Sequence, residues 1–318
     1  MKRLLILAVL AAVMLISSCA DKSVYMFSYF KGGGDGLHYA YSYDGHTWRA
    51  VKDGEILLTP VVGKDKLMRD PSILQGPDGI FHMVWTSSWT DKIIGYASSK
   101  DLINWSEQRS IPVMMHEEGA RNSWAPELYY DHKSKLFYIL WSTNITGRYP
   151  SLAASREGVF ENTIYYTTTT DFENFSPTQL YFNPDFNVID AAIVYDKKRD
   201  DYVMVVKNEN QYPPEKNIRV TRSNDIAAGF PVEVSEPITG DYWAEGASPI
   251  FIGDYLYVYF DKYTSHKYGA VRSLDGENWE DVSDQITFPE GVRHGTVFKV
   301  KKKVLDGVLK AFEGASDK

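Results

Sequence analysis

A single cysteine, Cys19, occurs in 318 residues. The mature chain therefore has no disulfide framework and no thiolate metal site, and its stability comes from packing. A basic excess is also missing: the formal net charge is −8, which argues against nucleic acid or anionic lipid as partners. No segment between residues 24 and 300 keeps a 3.6-residue apolar period, which excludes long helices. The only long apolar run, Leu4 to Ile16, is too short for a typical membrane span. What is present is core material, 44% hydrophobic and 14% aromatic, enough for one large or two ordinary domains.

The start "MKRLLILAVLAAVMLISSCADKS" has Lys2 and Arg3, an apolar stretch and small residues before Cys19. It reads as an export signal. "ISSC" resembles the lipobox of bacterial lipoproteins, which predicts a signal over 1–18, a lipidated Cys19 and a short linker over 19–23. The expected location is outside the cytoplasm, lipid-anchored and facing the periplasm or the cell surface. A monomer is expected, touching membrane only through that anchor.

Self-similarity sets the architecture. "YSYDGHTW", "SSKDLINW", "TTTDFENF", "TRSNDIAAGF" and "VRSLDGENW" each place Asp after a hydroxyl residue and before an aromatic one. Their aspartates, Asp44, Asp101, Asp171, Asp225 and Asp275, are spaced by 57, 70, 54 and 50 residues. Runs such as "GIFHMVWTSS" and "DYLYVYFDK" precede the later copies and read as strands in hairpins. A further strand opens each unit: "RDPSILQG", "WAPELYYD", "IDAAIVYD", "AEGASPIFIG" and "RHGTVFKV". Four-stranded units repeated radially predict an all-β, five-bladed β-propeller over residues 24–300. The N-terminal strands lack an inner strand and the last inner strand lacks outer ones, so their pairing closes the ring. Residues 301–318 form a tail with the pattern of a short amphipathic helix.

In a propeller the inner strands all start on one face around the channel. Polar residues at those starts are Asp70, Glu127, Asp190, Glu245 and His294, four acids and a histidine. Crowded carboxylates split their pKa values, so that one keeps a proton while another stays ionised. Glycoside hydrolysis needs that division. Glu245, among Trp243, Ala244 and Gly246, is the candidate general acid with a raised pKa; Asp70 is the candidate base, and Asp190 the group that keeps Glu245 protonated.

The motifs "RDPSI", "WAPEL", "VIDAAI", "WAEG" and "RHGTV", in this order and spacing, resemble glycoside hydrolase family 43 over almost the whole mature chain. The resemblance implies a five-bladed propeller acting by inversion on plant arabinans, xylans or arabinogalactans. It also implies Asp70 as base, Asp190 as pKa modulator, Glu245 as acid, and His294 at an axial water or Ca²⁺ site. No cofactor is needed for this chemistry, and an axial Ca²⁺ would be structural or electrostatic. Two positions depart from the family pattern. "WAEGASP" carries Ala247 and Ser248 where a Pro commonly follows, and Glu127 stands where many members have Asp.

The rim should come from the ends of the second strands. Trp89 is a candidate sugar platform, Lys207 a partner for a sugar hydroxyl or for Asp190, and Glu127 and Arg293 further sugar contacts; Arg121 is also a candidate. "KGGGDG" is followed by neither a Lys-Ser/Thr pair nor a helix, so it is not a phosphate loop. The chain ends with its propeller, without the added sandwich of many β-xylosidases, which leans the expectation toward α-L-arabinofuranosidase. β-Xylosidase, exo-β-galactosidase and a non-catalytic glycan-binding lipoprotein are the alternatives. A sialidase-like propeller fits poorly, because an acidic ring repels an anionic sugar.

Overall fold

The structure is a computed structural model that describes residues 23–148 and 161–314. The expected export signal and Cys19 lie outside the described residues. Among the described residues nineteen strands form five antiparallel sheets. The first combines β1 (Ser23–Tyr29), β2 (His38–Ser42) and β3 (Arg49–Ala50) with the last strand, β19 (Thr296–Lys301). Next come β4 (Arg69–Gln75), β5 (Phe81–Thr86), β6 (Ile94–Ser99) and β7 (Arg109–Ile111). The third sheet is β8 (Trp124–Asp131), β9 (Leu136–Asn144), β10 (Asn162–Thr169) and β11 (Gln179–Phe182). The fourth holds only β12 (Val188–Asp196), β13 (Asp201–Asn208) and β14 (Asn217–Ser223). The fifth is β15 (Glu245–Ile252), β16 (Tyr255–Lys262), β17 (Lys267–Ser273) and β18 (Glu280–Asp281).

Each inner strand packs on the next, β4 on β8, β8 on β12, β12 on β15, β15 on β19 and β19 on β4, so the ring is a closed five-bladed propeller. Closure is carried by β1 against β19, in register from Ser23 opposite Lys301 to Ser28 opposite Thr296. Five apolar clusters fill the spaces between neighbouring blades. Large aromatic side chains such as Trp85, Trp141 and Tyr259 are fully buried there, each contributing about 1.5–3 kcal/mol by leaving water. Helix α1 (Lys302–Glu313) docks Leu305 and Val308 into the cluster between the first two blades.

The fourth blade departs from the expected four strands. Its outer segment touches β14 through only two backbone bonds, Ser235 N–H to Val220 O and Ile238 N–H to Ile218 O. Pro237 sits between the two bonding residues and Pro231 precedes them, and neither has an N–H to donate to a ladder.

Four of the five repeated aspartates, at 44, 101, 171 and 275, build hairpin tips. Asp101 Oδ1 accepts the N–H of Ile103 and Asn104 at 2.9 and 2.8 Å, and Asp171 and Asp275 repeat the pattern. This is an Asx turn locked by the preceding hydroxyl, as in Ser99 Oγ to Asp101 Oδ1 at 3.0 Å.

Four inner strands share another irregularity. Their register slips between Arg69 and Ser72, Trp124 and Glu127, Ile189 and Ala192, and Glu245 and Ser248. At each slip one residue has a left-handed backbone: Asp70 (φ 53°), Ala125 (46°), Asp190 (56°) and Gly246 (64°). A bulge of this kind turns a side chain out of the ladder. Here it turns Asp70 and Asp190 toward the axis.

Candidate active site

The bulges correct the expectation of one equivalent acid per blade. By register, Asp70 and Asp190 occupy the bulge itself, Glu245 stands one residue before it, and Glu127 two residues beyond it. The acids therefore lie at three depths along the channel.

Asp70 and Asp190 meet around His294. The imidazole Nδ1 is 3.2 Å from Asp70 Oδ1 and 3.9 Å from Asp190 Oδ2. The other Asp70 oxygen accepts the Thr86 hydroxyl at 2.7 Å, and Asp190 Oδ2 accepts the Gly246 N–H at 2.9 Å. Only glycine fits at 246: its backbone is left-handed, and an added Cβ would lie 2.4 Å from the His294 ring. Burial pushes the Asp70 carboxyl up, but the charge and hydrogen bond of His294, with Arg69 and Thr86, outweigh it and hold the pKa at about 2. Asp190 goes the other way, to about 6. Burial dominates there, His294 and Lys207 pull down, and Glu245 and Asp70 push up. Burial alone would lower His294, yet Asp190 and Asp70 raise it to about 9, so it is an imidazolium at neutral pH.

Glu245 is held differently from the expectation. Its apolar sequence neighbours predict a carboxyl raised by burial. In the fold, Lys207 Nζ lies 3.1 Å from Oε2 and Arg293 Nη2 lies 3.1 Å from Oε1. Burial raises the Glu245 pKa, but Lys207, His294 and Arg293 together bring it below the ordinary glutamate value. The correction has a plain cause: both cations arrive from other blades. Asp261, directly opposite Glu245 in the β15–β16 ladder, would repel it. Arg293 bridges the two, with Nε 2.6 Å from Asp261 Oδ2.

The expected sugar contacts divide. Lys207 is 1% exposed and committed to Glu245 and Glu209, so its ammonium is part of the cluster and not of the rim. Arg293 likewise spends its guanidinium on Glu245 and Asp261. Glu127 lies farther along the channel than the other acids. Its Oε2 accepts the Thr296 hydroxyl at 3.0 Å, and it lines a cavity of about 840 Å³ that runs to the opposite ends of the inner strands. Burial raises its pKa to about 7 against the pull of His294. Trp89 is at the rim and 49% exposed, with the Arg69 guanidinium 4.4 Å from its ring centroid. Arg69 also stacks over Phe30 at 4.5 Å. Arg121 is held by its backbone, whose N–H donates to Asn144 O.

Among the described residues no three His, Cys, Asp or Glu side chains are arranged to hold a metal ion directly.

Four residues of the site escaped sequence reading: Arg69, Thr86, Glu209 and Tyr263. Glu209 had a signal, standing two residues after Lys207 and so on the same side of an extended chain. Tyr263, under the Lys207 ammonium at 4.7 Å, follows β16 across a blade boundary and had none.

Residues 21–306 match the model of the glycosyl hydrolase family 43-related family, described as a "probable glycosyl hydrolase domain". No curated protein matches the chain. Similar solved structures include the α-L-arabinofuranosidase from Lactobacillus brevis, at 15% identity and TM-score 0.52, covering 67% of this chain and 72% of that one. A thermostable family-43 glycoside hydrolase gives 15% and 0.54, covering 73% and 82%. An exo-β-1,3-galactanase from Phanerochaete chrysosporium, solved with β-1,3-galactotriose, gives 12% and 0.51, covering 67% and 49%. At these identities the structural likeness is one of fold, and the family rests on the sequence match. By that match the chain belongs to the glycosyl hydrolase family 43-related family.

Proposed function

We propose that the protein is a glycoside hydrolase that releases terminal sugars, α-L-arabinofuranosyl units above all, from plant-type poly- or oligosaccharides by single displacement with inversion. The observation that carries this reading is the unequal titration of carboxylates around one imidazolium, Asp70 at about 2 and Asp190 at about 6. Asp70 is ionised across the working range and takes the proton of an attacking water. Its weak basicity suffices because the transition state is oxocarbenium-like, with bond breaking ahead of attack. Glu245 protonates the leaving oxygen from the other side of the ring. In the free protein it is ionised at neutral pH; a sugar that displaces water from around it raises its proton affinity. Asp190, anchored on the Gly246 amide beside it, opposes a second negative charge there. Trp89, with Arg69 on one face, offers a stacking edge at the rim.

The sugar assignment draws on the fold shared with the Lactobacillus brevis arabinofuranosidase, and galactosyl and xylosyl substrates are the competing choices. The reading includes export as a lipoprotein tethered at Cys19 and action as a monomer. Labelled palmitate incorporated by wild type and lost in Cys19→Ala tests the anchor.

The deciding assay is hydrolysis of aryl α-L-arabinofuranoside, β-D-xyloside and β-D-galactoside by wild type and Glu245→Ala, with the product anomer read by proton NMR. Turnover of one substrate with an inverted product, lost in the variant, is expected. A retained anomer overturns inversion. The ionised Glu245 favours one rival, a protein that binds glycans without cleaving them. That rival wins if wild type is inert while calorimetry shows equal sugar binding by both proteins.

A further inference from the structure

Glu245 is the fourth link in a line of six charges that alternate in sign: Lys216, Glu209, Lys207, Glu245, Arg293 and Asp261. Lys207 Nζ lies 2.6 Å from Glu209 Oε2 and 3.1 Å from Glu245 Oε2, so one ammonium is shared between two carboxylates. The second Glu209 oxygen is bound by Lys216 Nζ, which also donates to the Glu209 carbonyl at 2.9 Å. On the other side Arg293 joins Glu245 to Asp261. Side chains of Lys207, Lys216 and Asp261 are 2%, 4% and 1% exposed, so every contact in the line except Glu245–Arg293 has one partner shielded from water. Glu209 and Lys216 lie at the two ends of the connection between β13 and β14. That connection is tied to the acid's own strand, because the Ala244 N–H donates to Lys216 O at 2.9 Å.

We propose that Glu209 and Lys216, which touch none of the presumed reacting atoms, are positioning residues that govern through Lys207 how readily Glu245 takes up a proton. The proposal rests on the reading of Glu245 as the acid. Its physical content is a competition. While Glu209 holds half of the Lys207 ammonium, Glu245 feels less than one full cation from that side. Lys216 in turn neutralises Glu209 and limits how far it draws Lys207 away. Other groups face Glu245 as well: Asp190 from β12, Asp261 and Tyr263 from β16 and its end, Tyr268 from β17, and Arg293 and His294 ahead of β19. None of these changes when the connection is altered, so substitutions at 209 and 216 isolate the line's far end. Lys216 and Glu245 also interact directly, with the sign the line requires.

The line predicts shifts of opposite sign. Glu209→Gln removes an anion, strengthens the hold of Lys207 on Glu245 and moves the alkaline limb of the kcat/KM profile down by about one pH unit. Lys216→Met removes a cation and moves the limb up by a smaller amount. Glu209→Asp restores the charge and returns the limb toward wild type. The same shifts are read without turnover by NMR titration of ¹³C-carboxyl-labelled glutamate, the Glu245 signal being identified by its loss in Glu245→Gln. Opposite shifts support the proposal; unmoved values, or equal shifts in one direction as from general loosening, overturn it. If Glu209→Gln does not fold, Lys216→Met decides alone: an upward shift supports the line and an unmoved value overturns it. If wild type hydrolyses none of the glycosides while the Glu245 signal shifts in alternation, the hydrolase reading fails and the charge line stands.

Discussion

Two sets of carboxylates recur around this ring, and they have opposite fates. The turn aspartates at 101, 171 and 275 accept backbone N–H groups from their own hairpin tips. The inner carboxylates at 70, 190 and 245 meet side chains delivered by other blades, His294, Lys207 and Arg293, with Thr86 of its own blade added at Asp70. A periodic acid satisfied by its own backbone is a structural turn. A periodic acid whose partners come from distant sequence is a place where charge has been gathered for use. The glycosidase reading depends on the second set, although the first is the more regular in sequence.

Substitutions should separate the two sets most sharply in activity. Asp70→Asn and Glu245→Gln are expected to lower kcat/KM by about 10²–10⁴-fold, as removal of an acid or base does. Asp101→Ala should leave kcat/KM unchanged; a comparable loss in all three would erase the distinction. Gly246→Ala comes next, forcing a Cβ into the His294 ring at a left-handed backbone. A loss of about 1–3 kcal/mol in denaturant unfolding is expected, with lower activity because Asp190 loses its seat on the Gly246 amide.

The sets should also fail at opposite ends of the pH scale. Asp101 is depressed to about 2: burial raises it, but the Asn104, Ile103 and Ser99 contacts prevail. Its contribution is complete above the unfolded pKa near 4 and is lost as pH falls toward 2. His294 is raised to about 9. Its contribution is complete below the unfolded value near 6.5 and is lost as pH rises through 9. Chemical denaturation across pH should show a shallower alkaline decline in His294→Gln and a shallower acid decline in Asp101→Ala, whose loss of turn hydrogen bonds costs about 1 kcal/mol near neutrality. Kinetics sharpen the same contrast. With Glu245 lowered and Asp70 at about 2, kcat/KM should increase as pH falls from 7 toward 5. A flat profile there would mean that Glu245 is not the proton donor. The smallest effect expected is at the rim, where Trp89→Ala should raise KM severalfold with kcat little changed.

The propeller was legible because its repeat is local. Strand alternation, Asx-turn residues and the unpaired first and last strands are all properties of short stretches, and each maps onto one hairpin. The positions of Asp70, Asp190 and Glu245 were legible for the same reason, since every inner strand starts on one face. Sequence alone misread Glu245 as apolar in its surroundings, because only Trp243, Ala244 and Gly246 are adjacent in the chain. It also placed Glu127 level with the other acids, two residues short of its depth in the channel, because a bulge shifts register without any signature beyond a possible glycine.

Chain order thus determined the number of blades, the closure of the ring and the set of acids that face its axis, all consequences of strand period and turn chemistry. Tertiary structure decided the charge state of each acid. That depends on cations from other blades, which are far apart along the chain and only 2.6–3.2 Å from their carboxylates once the ring has closed.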